Sequence, residues 1–270
     1  MTHSQDRAPT TVREFSEGVV GSPELAIKLS PPPVGLADHD PIPQALRLWP
    51  VRSRSLVIRP WVEARAPSPR GYADSSRRPG ILHALANHEL QAVELFAWAL
   101  LAFPEAPREF RQGLLAILRE EQIHCRLYIE RLESLGGRFG EHPVTGHFWN
   151  QWRAMTSPAR FVAVMGLTFE GANLDHAEDL AALAEDVGDI ETAEIVRRVH
   201  RDEIRHVSFG WHWLGVFKDS EESMWDAWNA LVRKPLGPER ACGRVLHPQS
   251  RRAAGLDEAF IDALTEAVAR

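Results

Sequence analysis

Cysteine is scarce: Cys125 and Cys242 are the only two among 270 residues. Two thiols cannot build a disulfide framework or a four-thiolate zinc or iron–sulfur site, so a reducing cytoplasm is the expected compartment. An excess of basic charge is lacking too. Lys and Arg number 31 against 37 Asp and Glu, for a net charge of −6, and nucleic acid is not an expected partner. There is no long hydrophobic run. The most apolar stretch, Ala92 to Phe103, contains Glu94 and is far short of the ~20 apolar residues a spanning helix needs, so no membrane is expected. The opening Met-Thr-His-Ser-Gln-Asp-Arg does not resemble a signal peptide. Tyrosine appears only as Tyr72 and Tyr128, which leaves a long tyrosine relay without residues to run on.

What is present divides unevenly. Twelve of the 19 prolines precede Gly80, among them Pro31-Pro32-Pro33. Residues 1–78 are therefore expected to form an irregular arm, disordered over roughly its first 30 residues, with a short strand at Ser55–Ile58. From Pro79 the pattern becomes helical. Four long helices are predicted: from Ile81 to before Pro104, from Pro107 to Gly136-Gly137, from Ser157 (N-cap) and Pro158 to Gly188, and from Asp189 to Phe217. Tight turns make two antiparallel hairpins of them. The longer link 138–156 spans enough distance, at ~3.3 Å per extended residue, to cross back along a bundle. Residues 79–218 are thus assigned to an all-α four-helix bundle. Residues 219–270 are assigned to a helical extension packed on it, with helices at 221–233 and 256–268.

Two words carry the chemistry. Glu121-Gln-Ile-His124 and Glu203-Ile-Arg-His206 are both Glu-x-x-His, and residues i and i+3 share a helix face. Each pair interrupts an apolar stripe: Phe110, Leu114 and Ile117 before Glu121, and Val196 and Val199 before Glu203. The other two helices carry Glu89 and Glu170 on comparable stripes. Glu89 precedes Glu121 by 32 residues and Glu170 precedes Glu203 by 33, so the hairpins read as near-repeats. A charge on a core stripe is costly unless it is paired or bound to a cation. Glu89, Glu121, His124, Glu170, Glu203 and His206 are therefore the candidate ligands of two metal ions. Four carboxylates balance two divalent cations. The oxygen-rich set with two imidazoles suits iron first, with manganese or a mixed manganese–iron pair as alternatives.

Several neighbours compete. Glu94 lies five residues beyond Glu89, roughly 140° round the helix, and only 27 before Glu121, so Glu89 is preferred as the first-helix ligand. Asp202 and Glu120 are candidate acceptors for the second N–H of a metal-bound histidine. His200, three residues before Glu203, is the nearest further participant; His83, His88 and His176 are assigned to packing or surface. Gly166, Gly171 and Gly210 suggest close helix packing or a pocket. Arg233, Lys234, Arg240, Arg244, Arg251 and Arg252 make a basic tail, read as solvated or paired with the acidic bundle.

At this point the chain resembles the ferritin-like superfamily of carboxylate-bridged di-iron proteins, over about residues 80–217. More closely, His88-Glu-Leu-Gln-Ala-Val-Glu-Leu95, Phe169-Glu-Gly-Ala-Asn-Leu-Asp175 and Ala253-Ala-Gly-Leu256 resemble an uncharacterised ferritin-like family that has no assigned reaction. Asp202-Glu-Ile-Arg-His206 is similar to the Asp-Glu-x-x-His words of bacterial hydrocarbon monooxygenases. Glu121-x-x-His124-x-x-x-Tyr128 resembles the ribonucleotide reductase small subunit, whose radical tyrosine lies four residues after a histidine ligand. The resemblance implies catalytic parts for Tyr128 and Asp202, although a packing role for Tyr128 is the commoner one. It also implies a non-haem dimetal oxidoreductase that activates O2 to oxidise or hydroxylate a small organic substrate. A separate electron donor is implied, and a homodimer is compatible. The alternative is an iron-oxidising, metal-handling protein without an organic substrate.

Overall fold

The computed structural model describes residues 8–38, 43–232 and 234–269. Within the described residues the chain is all-helical apart from two short strands, and no helix is long and apolar enough to cross a membrane. Two compact units emerge. The first takes the described residues up to Ala66, then His83–Glu133 and Gly137–Gly146; the second takes Pro67–Leu82, Ser134–Gly136 and the described residues from His147 onward.

The first unit opens on a helix that the sequence reading left as irregular arm. Helix α1, Val12–Gly21, begins at a capping box: Thr11 Oγ1 accepts the Glu14 N–H, and the Glu14 carboxylate accepts the N–H of Thr10 and Thr11. It buries Val12, Phe15, Val19 and Val20. A ten-residue helix among prolines is too short for apolar periodicity to reveal. The single turn α2, Leu25–Lys28, follows. The expectation of disorder therefore fails over the described part of that segment; residues 1–7 lie outside it.

Helices α3, Arg78–Ala102, and α4, Arg108–Ser134, form the hairpin of this unit. Arg111 closes the turn by donating to Leu100 O and Phe103 O, and it pairs with Asp38 at 2.6 Å. Partway along, the Cys125 thiol donates to Ala86 O. The arm is fastened to this hairpin by buried charge. Glu94 on α3 accepts from Arg52 at 2.7 Å and from Lys28 at 3.0 Å, all three side chains being almost wholly buried. Gln122 on α4 donates to Lys28 O and Ser30 O, and Arg126 donates to Leu29 O. The expected strand is shorter and later than predicted. Strand β1, Ile58–Arg59, pairs in parallel with β2, Val144–Thr145, and Asn87 donates to Thr145 O. His83 Nε2 accepts the Gly140 N–H at 2.9 Å. Burial pushes its pKa down to about 4, so the imidazole stays neutral, as an acceptor must. Gly140 has φ +91°, and a Cβ there would sit 2.9 Å from Ser55 Oγ, so the turn requires glycine.

The second unit holds the other hairpin. Its first arm starts at α5, Pro158–Val164, with Ser157 as N-cap and Pro158 in the first turn. The sequence predicts one continuous helix from here to Gly188. Instead a π-helical turn, Met165–Phe169, separates α5 from α6, Glu170–Asp186. A widened turn carries no composition signature, because it answers to contacts from outside the helix. Gly188, at φ +75°, ends this arm. Helix α7, Ile190–Phe217, then starts at the N-cap Asp189, whose side chain accepts from Thr192 N. The Tyr72 hydroxyl lies 2.8 Å from both Asp189 Oδ2 and Thr192 Oγ1.

Three short helices complete the unit: α8, Met224–Leu231; α9, Pro248–Ala253; and α10, Glu258–Val268. Helix α9 is unforeseen, being six residues inside a Pro/Gly/Arg-rich stretch. Its Arg251 is buried and pairs with the buried Asp175 of α6 at 2.6 Å. Asp175 also accepts from Gly243 N and His247 N, and Arg251 donates onward to Gly171 O and Ala241 O. Arg252 pairs with Glu258. Part of the basic tail is therefore consumed in fixing the tail to α6. Arg233 lies outside the described residues.

Candidate metal centre

Each unit contains one buried cluster of two carboxylates and one imidazole. In the first unit α3 supplies Glu89, while α4 supplies Glu121 and His124 one turn apart. His124 Nδ1 lies 3.7 Å from Glu89 Oε2 and 3.7 Å from Glu121 Oε2. In the second unit α6 supplies Glu170, its first residue after the π turn, and α7 supplies Glu203 and His206. His206 Nδ1 lies 3.6 Å from Glu203 Oε2. Within each triad the potential donor atoms all lie within 4.8 Å of one another. No member of either triad is more than 6% exposed.

Two anions so close in a dry setting are unfavourable unless a proton or a cation intervenes. Glu89 registers this directly: burial first, and then the charge of Glu121, raise its pKa well above the ordinary carboxylate value. Burial likewise raises the Cys125 thiol well above its ordinary value, which leaves it a small packed side chain rather than a thiolate ligand. Two carboxylates and one imidazole could hold a metal ion, and each triad at full ionisation carries the charge of one divalent cation with opposite sign.

Other residues singled out in the sequence fall around these triads. Glu94, the competitor of Glu89, is engaged by Lys28 and Arg52. Burial raises its pKa, but the two cations outweigh this and hold it below the usual value. Tyr128 is buried one turn beyond His124. Asp202 sits on a partly exposed face of α7 and accepts from Arg205 at 2.7 Å. His200 is engaged with Ser250 at 3.0 Å, and Glu120 is half-buried. Residues the sequence reading passed over are Thr168 and Trp228, which meet at the π turn. A lone threonine and one of nine tryptophans offer no signal of such a meeting.

Gly166 and Gly210 let α7 and the π turn approach closely beside the second triad. A Cβ on Gly210 would lie 3.1 Å from Gly166 Cα, and one on Gly166 would lie 3.7 Å from Glu170 Oε2. Gly210→Ala is therefore expected to cost about 1–3 kcal/mol through overpacking. A lower urea midpoint would show it, and an unchanged midpoint would mean that the two backbones separate freely.

Known proteins add a family. An uncharacterised protein of Haemophilus influenzae is 29% identical over 152 residues, 53% of this chain and 53% of that protein. The chain therefore spans about half the length of this curated relative. No solved structure matches the chain. Residues 25–262 match the family described as protein of unknown function (DUF455), and the chain belongs to that family.

Proposed function

We propose that the two hairpins belong to a ferritin-like four-helix bundle, that their triads hold a pair of iron or manganese ions, and that the pair serves a non-haem oxidoreductase that uses O2 on a small organic substrate. One observation carries this reading: the same buried donor set, two glutamates and one histidine, occurs twice, once on each helical hairpin. Duplicated ligand sets on paired helices are how helical bundles hold two metals.

Glu89, Glu121 and His124 would hold one ion, and Glu170, Glu203 and His206 the other. Bound and reduced, such a pair supplies the electrons for oxygen chemistry that no amino-acid side chain can perform. The chain contributes the rest. Its four carboxylates cancel the cations' charge and keep the site stable while dry. The apolar residues on the same stripes, Leu114, Ile117, Val196 and Val199 among them, are buried and exclude bulk water. Asp202 precedes His206 by four residues, a spacing at which a helical carboxylate can take an imidazole N–H and fix its tautomer. Tyr128, one turn beyond His124, would be the residue to donate a proton or an electron toward the centre. An external electron donor completes the cycle.

The test is oxygen uptake. Protein reconstituted with two Fe(II) per chain is expected to consume O2 repeatedly with a chemical reductant, and the Glu121→Ala variant is expected not to. Uptake of a single equivalent, with ferric iron retained and no turnover, would replace the oxidoreductase with a metal-handling protein.

A further inference from the structure

A π turn, Met165–Phe169, runs directly into Glu170, and side chains from two elements meet beside it. The Glu170 N–H reaches back to Met165 O, one residue further than in an α-helix. One inserted residue turns everything after it by about 100° relative to what precedes it. The direction of the Glu170 carboxylate therefore depends on whether this turn is wide or regular. Side chains that bond to the backbone at such a turn bear on whether it stays wide.

Two side chains meet at the carbonyl of Ala163, two residues ahead of the turn. The Thr168 hydroxyl donates to Ala163 O at 2.8 Å, five residues back. Trp228 Nε1, from α8, lies 3.2 Å from the same Ala163 O and 3.2 Å from Thr168 Oγ1. The balance closes: the hydroxyl donates once and accepts once, and the indole N–H is shared between the carbonyl and the hydroxyl. Ala163, Thr168 and Trp228 are each 0% exposed, so no water substitutes for these bonds.

Trp228 is itself fixed. Its ring lies 5.3 Å from Trp225 and 5.5 Å from Phe260 of α10. Arg160 of α5 donates to Leu231 O at the end of α8. Across the turn, Gly166 meets Gly210 of α7.

We infer that Trp228 and Thr168 form a latch that keeps the Met165–Phe169 turn wide and thereby aims Glu170. The C-terminal extension is thus a working part of the second triad, and Trp228 and Thr168 are positioning residues. The inference toward metal rests on the dimetal reading above; the inference about the turn does not.

Three substitutions separate these roles. Trp228→Phe removes the N–H and keeps most of the ring; Thr168→Val removes the hydroxyl at nearly constant volume; Thr168→Ser restores it. In metal-free protein, amide hydrogen exchange over residues 165–170 is expected to be about tenfold faster in Trp228→Phe and Thr168→Val, the effect of losing one buried hydrogen bond. Residues 196–207 of α7 are expected to be unchanged, and Thr168→Ser is expected to match the wild type. In a parallel titration with Co(II), a coloured probe for iron sites, the wild type is expected to bind two ions. Trp228→Phe should shift the visible bands and weaken one site about tenfold.

Unchanged exchange over 165–170 in both variants overturns the latch. Faster exchange, with Co(II) bands and affinity identical to wild type, overturns its role toward Glu170. A wild type that binds no Co(II) overturns the dimetal reading, while exchange still judges the latch. Should Trp228→Phe fail to fold, Thr168→Val against Thr168→Ser decides the same question.

Discussion

Metal-free protein is expected to melt about 5–15 °C higher once Fe(II) or Mn(II) is added in excess. A ligand at 100 to 1,000 times its Kd stabilises the native state by about 3–4 kcal/mol, and each kcal/mol raises Tm by about 2–4 °C in a chain of this size. The physical source is the two triads. Each buries two carboxylates beside an imidazole with donor atoms inside 4.8 Å, and a divalent cation replaces repulsion with coordination. Glu121→Ala should remove most of the rise and lower the bound metal from two ions per chain. Glu89 gives the pH dependence its sign. Its folded pKa is raised, first by burial and then by Glu121. The stability it contributes without metal is therefore fully present below the ordinary carboxylate pKa of about 4.3 and is lost as pH rises through the raised value. The metal, in contrast, competes with that proton and gains as pH rises. The metal-induced shift in Tm should therefore grow with pH above about 4.3. A shift that is absent, or that shrinks over this range, would show that the triads are not cation sites.

Glu94→Gln is expected to be the most damaging single substitution outside the triads, costing about 3–5 kcal/mol. The replacement is nearly the same size but leaves Lys28 and Arg52 buried with no anion between them, where wild type has contacts of 3.0 and 2.7 Å. Against a total stability of about 5–15 kcal/mol this is a large fraction, and the urea midpoint should fall accordingly. The same experiment separates the two acidic residues of α3. At low temperature the folded Glu94→Gln protein should still bind two Mn(II) per chain. Glu89→Gln should bind fewer at nearly unchanged metal-free stability, because burial and Glu121 disfavour the charge of Glu89, whereas Lys28 and Arg52 hold that of Glu94. The reverse pattern would exchange their roles.

Glu94 also marks where reading the chain stops. Geometry along the helix says that Glu89 and Glu94 face different ways, but nothing nearby in sequence says what Glu94 faces. Its partners lie 66 and 42 residues earlier, in a Pro-rich arm read as irregular. Helix α1 was invisible for a related reason: ten residues with a capping box are too few for periodicity, and the box is decisive only once Val19 and Val20 have a surface to bury against. The π turn shows a third kind of limit. Its residues, Met165-Gly-Leu-Thr-Phe169, continue the apolar pattern of α5 without a break, and the indole N–H that meets Thr168 and Ala163 O comes from Trp228, some sixty residues on.

By itself the sequence determined three long helices and the extent of a fourth helical segment, the caps at Ser157 and Asp189, the ends near Gly136 and Gly188, and the two Glu-x-x-His pairs. Each is a local matter, settled by hydrogen bonds within a turn or by spacing around one helix. Only the tertiary structure decided that Glu89 joins Glu121 and His124 while Glu94 holds the arm, that Asp175 and Arg251 fix the tail, and that one turn before Glu170 is widened. Those outcomes depend on which distant groups share a dry interior, where every buried charge and carbonyl must find a partner whatever its distance along the chain.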